Sequence, residues 1–147
     1  MPAETVHLFL NPTAGRGRAG KREPRIRELL GAGNFPLEVH LSRDVGDLEE
    51  QVRRQVDNGI SRIVVAGGDG SVHEATNGIM RANGDAALGV IPTGTGNDFA
   101  KACDIPLDWE RATTLLANRI PENEQTRLID VGIMNGRYSV SYTHLTL

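Results

Sequence analysis

An aspartate set among glycines, Gly67-Gly68-Asp69-Gly70-Ser71, joins the apolar run "SRIVVA" to a helical pattern. Glycines let backbone N–H groups approach an anion closely, and a helix N-terminus adds a favourable dipole. Phosphate is the natural guest of such a loop. Asp69 is then out of place, because a carboxylate repels phosphate. The conflict disappears if Asp69 faces a magnesium ion, or a water bound to one. The competing account is a tight glycine turn in which Asp69 hydrogen-bonds its own backbone. Ser71 and Glu74 have capping-box spacing, which predicts a helix start at Ser71.

A second candidate is "PTGTGNDFA", Pro92 to Ala100. It supplies another glycine turn, two threonine hydroxyls and the pair Asn97-Asp98. Read as a helix start, it offers Thr95 or Asn97 as N-cap, with Asp98 favouring the dipole. A third is "NPTAGRGRAGKR", Asn11 to Arg22. Gly15, Gly17 and Gly20 have dinucleotide-fingerprint spacing, and Gly15, Gly20 and Lys21 nearly make a P-loop. The P-loop needs Ser or Thr after Gly-Lys, and Arg22 stands there. The fingerprint wants its glycines directly after a strand and an acid ending the next strand. Here Asn-Pro-Thr-Ala intervenes, and Glu38 lies inside the second strand. The reading left is a phosphate contact by Asn11, Thr13 and the Gly15 backbone, with Arg16 or Arg18 near.

These loops need a frame. Apolar strands are predicted at "TVHLFL", "FPLEVHLS", "SRIVVA" and "ALGVIP". Between them lie helical patterns over about Arg18–Leu30 (with Pro24 inside), over "DLEEQVRRQVD", from Ser71, from Asn97 and over about Leu107–Asn118. Leu48, Val52 and Val56 recur at helical spacing. "TRLIDVGIM-NG-RYSVS" predicts a hairpin on an Asn-Gly turn. Strands alternating with helices predict a three-layer α/β fold, a mostly parallel sheet covered on both faces and ending in the hairpin. All three glycine loops then fall at the carboxyl ends of strands, where such sheets bind ligands.

Composition sets outer limits. The length of 147 residues fits one domain, and 39% hydrophobic with 24% charged residues is an ordinary globular mix. A net charge of −3 argues against general nucleic-acid binding. Six basic residues crowd Arg16 to Arg27, as a solvated helix face would. The single cysteine, Cys103, allows no internal disulfide and fits a reducing, cytoplasmic setting. The start has no signal-peptide pattern, and no run of 18 apolar residues occurs.

Four motifs in order, "NPTAGRGRA", "VVAGGDGSVHEATNGI", "GVIPTGTGNDFAKACDIP" and "IDVGIMNGRY", resemble the diacylglycerol kinase catalytic domain. That family includes bacterial lipid kinases and sphingosine kinases and is related to NAD kinases. The resemblance covers residues 5 to about 138 and assigns residues 1–138 to a nucleotide-binding domain. It implies an ATP- and magnesium-dependent kinase acting on a lipid hydroxyl such as that of diacylglycerol. It also implies peripheral contact with a membrane surface and admits a homodimer. By resemblance, nucleotide contacts map onto Asn11, Pro12, Thr13, Ala14 and Gly15. They continue at Ser42, Gly67, Gly68, Asp69, Gly70, Ser71, Val72, His73 and Thr95. Ser42 and Ser71 stand where the family usually has Thr, and His73 where it often has Asn. The aspartates around a hydrated magnesium map onto Asp69, Asp98 and Asp130, with Asp69 nearest the chemistry. A second, mainly β domain with the general base and lipid cleft is expected beyond this stretch. Ser139–Leu147 does not match that continuation and is expected to be a truncated or foreign tail. An NAD kinase-like enzyme and a non-catalytic nucleotide-binding module stay open as alternatives.

Overall fold

The structure is a computed structural model and describes residues 4–122, 129 and 131–140. Four parallel strands form one sheet: β1 (Val6–Leu10), β2 (Leu37–Leu41), β3 (Arg62–Gly67) and β4 (Ala87–Pro92). Their order is β2-β1-β3-β4. Central parallel strands are covered on both faces, so their sequences run apolar without alternation. β1 and β3 follow this: every residue of β1 is buried, His7 included, and Ile63 to Gly67 are buried in β3.

One layer holds α1 (Arg18–Gly31) and α5 (Trp109–Arg119); the other holds α2 (Asp47–Asp57) and α3 (Asp69–Arg81). Leu8, Leu10, Ile26, Leu30, Val64 and Ile91 fill the first interface. Phe9, Leu48, Val52, Val56, Val65 and Val72 fill the second, so the stripe at Leu48, Val52 and Val56 faces the core. Short α4 (Asp98–Ala102) follows the β4 loop. α1 runs unbroken through Pro24, which faces solvent while Ile26 and Leu30 are fully buried. Burial of that stripe outweighs the one hydrogen bond that proline removes. Asp108 caps α5 by accepting the amides of Glu110 (3.1 Å) and Arg111 (3.4 Å). No helix among the described residues is long and apolar enough to cross a membrane.

The predicted hairpin is present as antiparallel β5 (Gly132–Met134) and β6 (Arg137–Ser139). Asn135 and Gly136 turn it with φ of 52° and 76°, as a primed turn requires. The hairpin is docked on the second helical layer. The fully buried Asn77 side chain of α3 accepts the Tyr138 N–H (2.9 Å) and donates to the Tyr138 carbonyl (3.0 Å). Glu49 of α2 accepts from Arg137 (2.6 and 3.0 Å) and from Arg81 (2.6 Å). Ser139 pairs with Gly132, and Val140 is buried in the core. The fold therefore extends past the boundary read at residue 138. Residues 141–147 of the tail lie outside the described residues.

Glu49 ties two helices and the hairpin together. The guanidinium hydrogen bonds of Arg137 hold its carboxyl below the ordinary 4.5, with Arg81 assisting and burial opposing. A depressed carboxyl pKa stabilises the fold fully above the unfolded value and loses that stabilisation as pH falls through the folded value. Glu49→Gln should cost about 2 kcal/mol at neutral pH, the scale of a hydrogen bond to a charged group. The gap from the parent should shrink below about pH 4. Urea unfolding at both pH values measures it, and an equal gap at both would refute the assignment.

Candidate functional site

Because β1, β3 and β4 are parallel, the loops that follow them meet at one edge of the sheet. After β1, Asn11 Oδ1 accepts the Thr13 N–H (3.0 Å) and the Thr13 hydroxyl (2.8 Å), which folds the chain back at once. Gly15 has φ +62°, and a Cβ there would stand 2.7 Å from the Thr93 carbonyl oxygen. This loop therefore rests on the start of the β4 loop through a position only glycine can fill. The glycine fingerprint read in the sequence thus has packing to do; a Cβ at Gly20 would likewise meet the Pro12 carbonyl at 2.8 Å.

After β3, Gly68 is the N-cap of α3. Helix geometry leaves the amides of Asp69, Gly70 and Ser71 without intrahelical acceptors, and the first bonded amide is Val72, to Gly68 O (3.1 Å). The capping-box expectation fails here. α3 starts at Asp69, two residues early, which places Ser71 inside its first turn, buried. Glu74 does not reach back to its own helix start. Its Oε1 accepts the Gly46 N–H (2.7 Å) at the N-terminus of α2.

After β4, Thr93 N–H donates to Gly67 O (3.0 Å), and Gly94 lies directly against Gly68. A Cβ on Gly94 would stand 2.5 Å from Gly68 Cα. Asn97 precedes α4 as expected, but its side chain closes a ring on Gly94, accepting its N–H (3.2 Å) and donating to its carbonyl (2.9 Å). The cap of α4 comes from another loop. Asp69 Oδ2 accepts the Asp98 N–H (3.1 Å), and Asp69 Oδ1 accepts the Phe99 N–H (3.3 Å). Asp69 therefore bonds backbone, but that of α4 and not its own.

The three loops enclose a cleft of about 390 Å³. Of the residues proposed from sequence, Asn11, Ala14, Gly15, Gly68, Asp69, Gly70, Ser71 and Thr95 line it. Pro12 and Thr13 build the turn behind Asn11. Gly67 ends β3, and a Cβ on it would meet Ser71 Oγ at 2.5 Å. Val72 belongs to the core, the His73 ring lies near the Asn77 amide (3.4 Å), and Ser42 is buried with its N–H on Leu10 O (3.0 Å). Asp98 is exposed; a Cβ on Gly96 would stand 3.1 Å from Asp69 Oδ2 and 3.9 Å from Asp98 Oδ1, so both carboxylates flank that glycine. Asp130 lies outside the described residues. Gly94 and Gly96 of the second candidate loop also line the cleft, and one lining residue, Glu74, was read only as a helix cap. The signal for Glu74 was its place three and four residues after Ser71 and Gly70, hence on the same helix face. Among the described residues the lining carries two carboxylates, Asp69 and Glu74, and no Lys or Arg.

The profile of the diacylglycerol kinase catalytic domain matches residues 5–132. The chain belongs to this family. A diacylglycerol kinase of Staphylococcus saprophyticus is 31% identical over 136 residues, and one of Bacillus subtilis is 32% identical over 136. These matches cover 92% of this chain, but 43% and 44% of the relatives. A diacylglycerol kinase structure from Bacillus anthracis superposes with a TM-score of 0.79 at 30% identity, covering 92% of this chain and 47% of that one. The chain thus spans less than half the length of these diacylglycerol kinases, and its parallel sheet and helices match their fold.

The Gly68–Gly94 contact gives a stability test within this diacylglycerol kinase domain. Gly94→Ala forces backbone apart and should cost about 1–3 kcal/mol, as overpacking does. Gly17→Ala meets open space but must hold φ +85°, and should cost about 1 kcal/mol. Urea midpoints of the two variants check the order, and a Gly94→Ala chain as stable as the parent would refute the contact.

Proposed function

We propose that this chain forms the nucleotide-binding half of an ATP- and magnesium-dependent lipid kinase. In the reaction the oxygen of a lipid hydroxyl bonds to the γ-phosphorus of ATP, the bond from that phosphorus to ADP breaks, and the hydroxyl proton passes to a base. The base and most of the acceptor cleft are assigned to the part of the relatives' length that this chain does not match. The acceptor, diacylglycerol or a similar lipid, would be met at the cytoplasmic face of a membrane.

The observation that carries this reading is the charge of the cleft. Backbone amides at the start of α3 suit an anion, yet among the described residues two carboxylates and no cation line the same space. A divalent cation lets phosphates and carboxylates share it. The residues fit one: a carboxylate offers about four lone-pair positions, and Asp69 gives two to the amides of Asp98 and Phe99. Asp69 and Asp98 would hold the hydrated ion, with Asp130 as a third proposed partner. Magnesium, when bound, would neutralise charge on the phosphate oxygens. The chain's own part is positioning. The amides of Asp69, Gly70 and Ser71 receive phosphate oxygens. Glycines at 68, 94 and 96 keep side chains out of their way. The two amides of α4 fix the orientation of Asp69.

A second reading, a nucleotide-binding module without catalysis, draws on those same two amide bonds, which make Asp69 a structural cap. Calorimetry with ATP, with and without magnesium, separates them. Asp98→Asn should weaken magnesium-ATP binding about tenfold, or 1.4 kcal/mol, and leave magnesium-free ATP binding unchanged or tighter. Equal losses in both conditions would sink the metal role, and no loss in either would favour the cap alone. Joined to the remaining length of the Bacillus subtilis relative, the chain should move labelled phosphate from ATP to an extracted lipid mixture only with magnesium. Label in NADP when NAD is offered, with none in lipid, would favour an NAD kinase-like enzyme.

A further inference from the structure

Away from the cleft, β1 and β2 bring two histidines and a glutamate together on the sheet face that α2 covers. His7 pairs with Glu38, and Phe9 with His40, in the parallel register of the two strands. All four side chains share one face, because strand side chains alternate. His7 Nδ1 lies 2.9 Å from His40 Nε2. The Glu38 carboxylate straddles both rings, with Oε2 3.9 Å from His7 Nδ1 and Oε1 3.9 Å from His40 Nε2. His7 is buried and His40 nearly so, while Glu38 is mostly exposed. The ring planes lie within 16° of each other at a centroid separation of 5.1 Å, and His40 stacks on Phe9 at 4.6 Å.

We propose that His7, Glu38 and His40 form a binding site for a divalent transition-metal ion of the zinc class, separate from the nucleotide cleft. Two imidazoles and a carboxylate are ligands that zinc takes readily, with a fourth position left to water. Metal–nitrogen bonds of about 2.0–2.1 Å set tetrahedral ligands about 3.3 Å apart. The His–His edge must open by about 0.5 Å and the two His–Glu edges close by a similar amount to reach that spacing. Small ring rotations and the free, solvent-facing Glu38 side chain supply this movement. Burial is the larger influence on both histidines and holds them below their ordinary value, against the pull of Glu38. The 2.9 Å contact between two ring nitrogens needs one of them to be an unprotonated acceptor, so a lone pair is already present at the site. One donates its N–H to the other across the 2.9 Å contact; entry of the ion moves that proton to the far ring nitrogen, so no net proton need leave. Magnesium, which demands octahedral oxygen ligands, does not compete for such a site.

The site would staple β2, the outer strand, to β1, with His40 two residues before Ser42. Zinc binding to the chain is measured by calorimetry in excess magnesium. Cobalt serves as the optical probe, since low-coordinate cobalt with imidazole ligands gives strong visible bands. The parent should take one ion per chain and melt at a higher temperature with zinc. His40→Phe keeps an aromatic ring against Phe9 and removes a ligand; it should lose at least about a hundredfold in affinity, more than an outer-shell partner is worth. Glu38→Gln changes an exposed side chain and should lose about tenfold or more. Both variants should also lose the visible bands and the melting shift. Parent-like affinity in either variant, or no zinc binding by the parent, would overturn the proposal.

Discussion

Gly68 and Gly94 touch backbone to backbone, and the candidate site depends on that approach. A side chain on either would wedge the β3 and β4 loops apart, since even a methyl on Gly94 would sit 2.5 Å from Gly68 Cα. With the loops in contact, the sheet ladder continues one step beyond β4 through Thr93 N–H and Gly67 O. The same contact brings the start of α4 within reach of Asp69. Gly15 then seats the first loop on Thr93. Three loops that are far apart in sequence become one surface because each lacks a Cβ where another passes.

The second layer is organised by acids that serve helices other than their own. Glu74 lines the cleft from α3 but hydrogen-bonds the start of α2. Glu49 sits on α2 and gathers arginines from α3 and β6. Asn77 completes the set by taking both backbone groups of Tyr138, as a neighbouring strand would. A two-stranded hairpin is marginal alone in water. Here it gains a side-chain partner for its edge and an ion pair for its turn-proximal end.

Local signals made most of this fold legible. Apolar runs marked the four strands, glycine loops after β1, β3 and β4 placed the candidate site at one edge, and Asn135-Gly136 marked the turn. The misses share a physical cause, which is that distant chain segments decided the local outcome. Ser71-x-x-Glu74 is a valid capping pattern, yet α3 begins at Asp69, and the Ser71 hydroxyl is tucked against Gly67 instead of capping. Asn97 could have capped α4, but Asp69, 29 residues earlier, reached its amides first. The docking of the hairpin is not legible in the sequence, because nothing near it announces Asn77, 61 residues before Tyr138. Eight of the proposed nucleotide contacts do line the cleft. Of those that do not, Pro12, Thr13, Gly67 and Val72 adjoin lining residues in the chain, whereas Ser42 is buried at the end of β2.

The double engagement of Asp69 changes how its chemistry should be weighed. α4 has five residues, too short to hold together by its own hydrogen bonds. Its first two amides bond the Asp69 carboxylate, so the direction of α4, and with it the position of Asp98, is set from α3. In the proposed nucleotide site, a carboxylate next to phosphates would ordinarily be a liability. Here two amides spread part of its charge before any ligand arrives, and its remaining lone pairs face the same cleft as Thr95 and Gly96. Removing Asp69 would therefore disturb the start of α4 and the charge of the cleft together. Asp98 is exposed and caps nothing through its side chain, so its charge can be varied with α4 still in place.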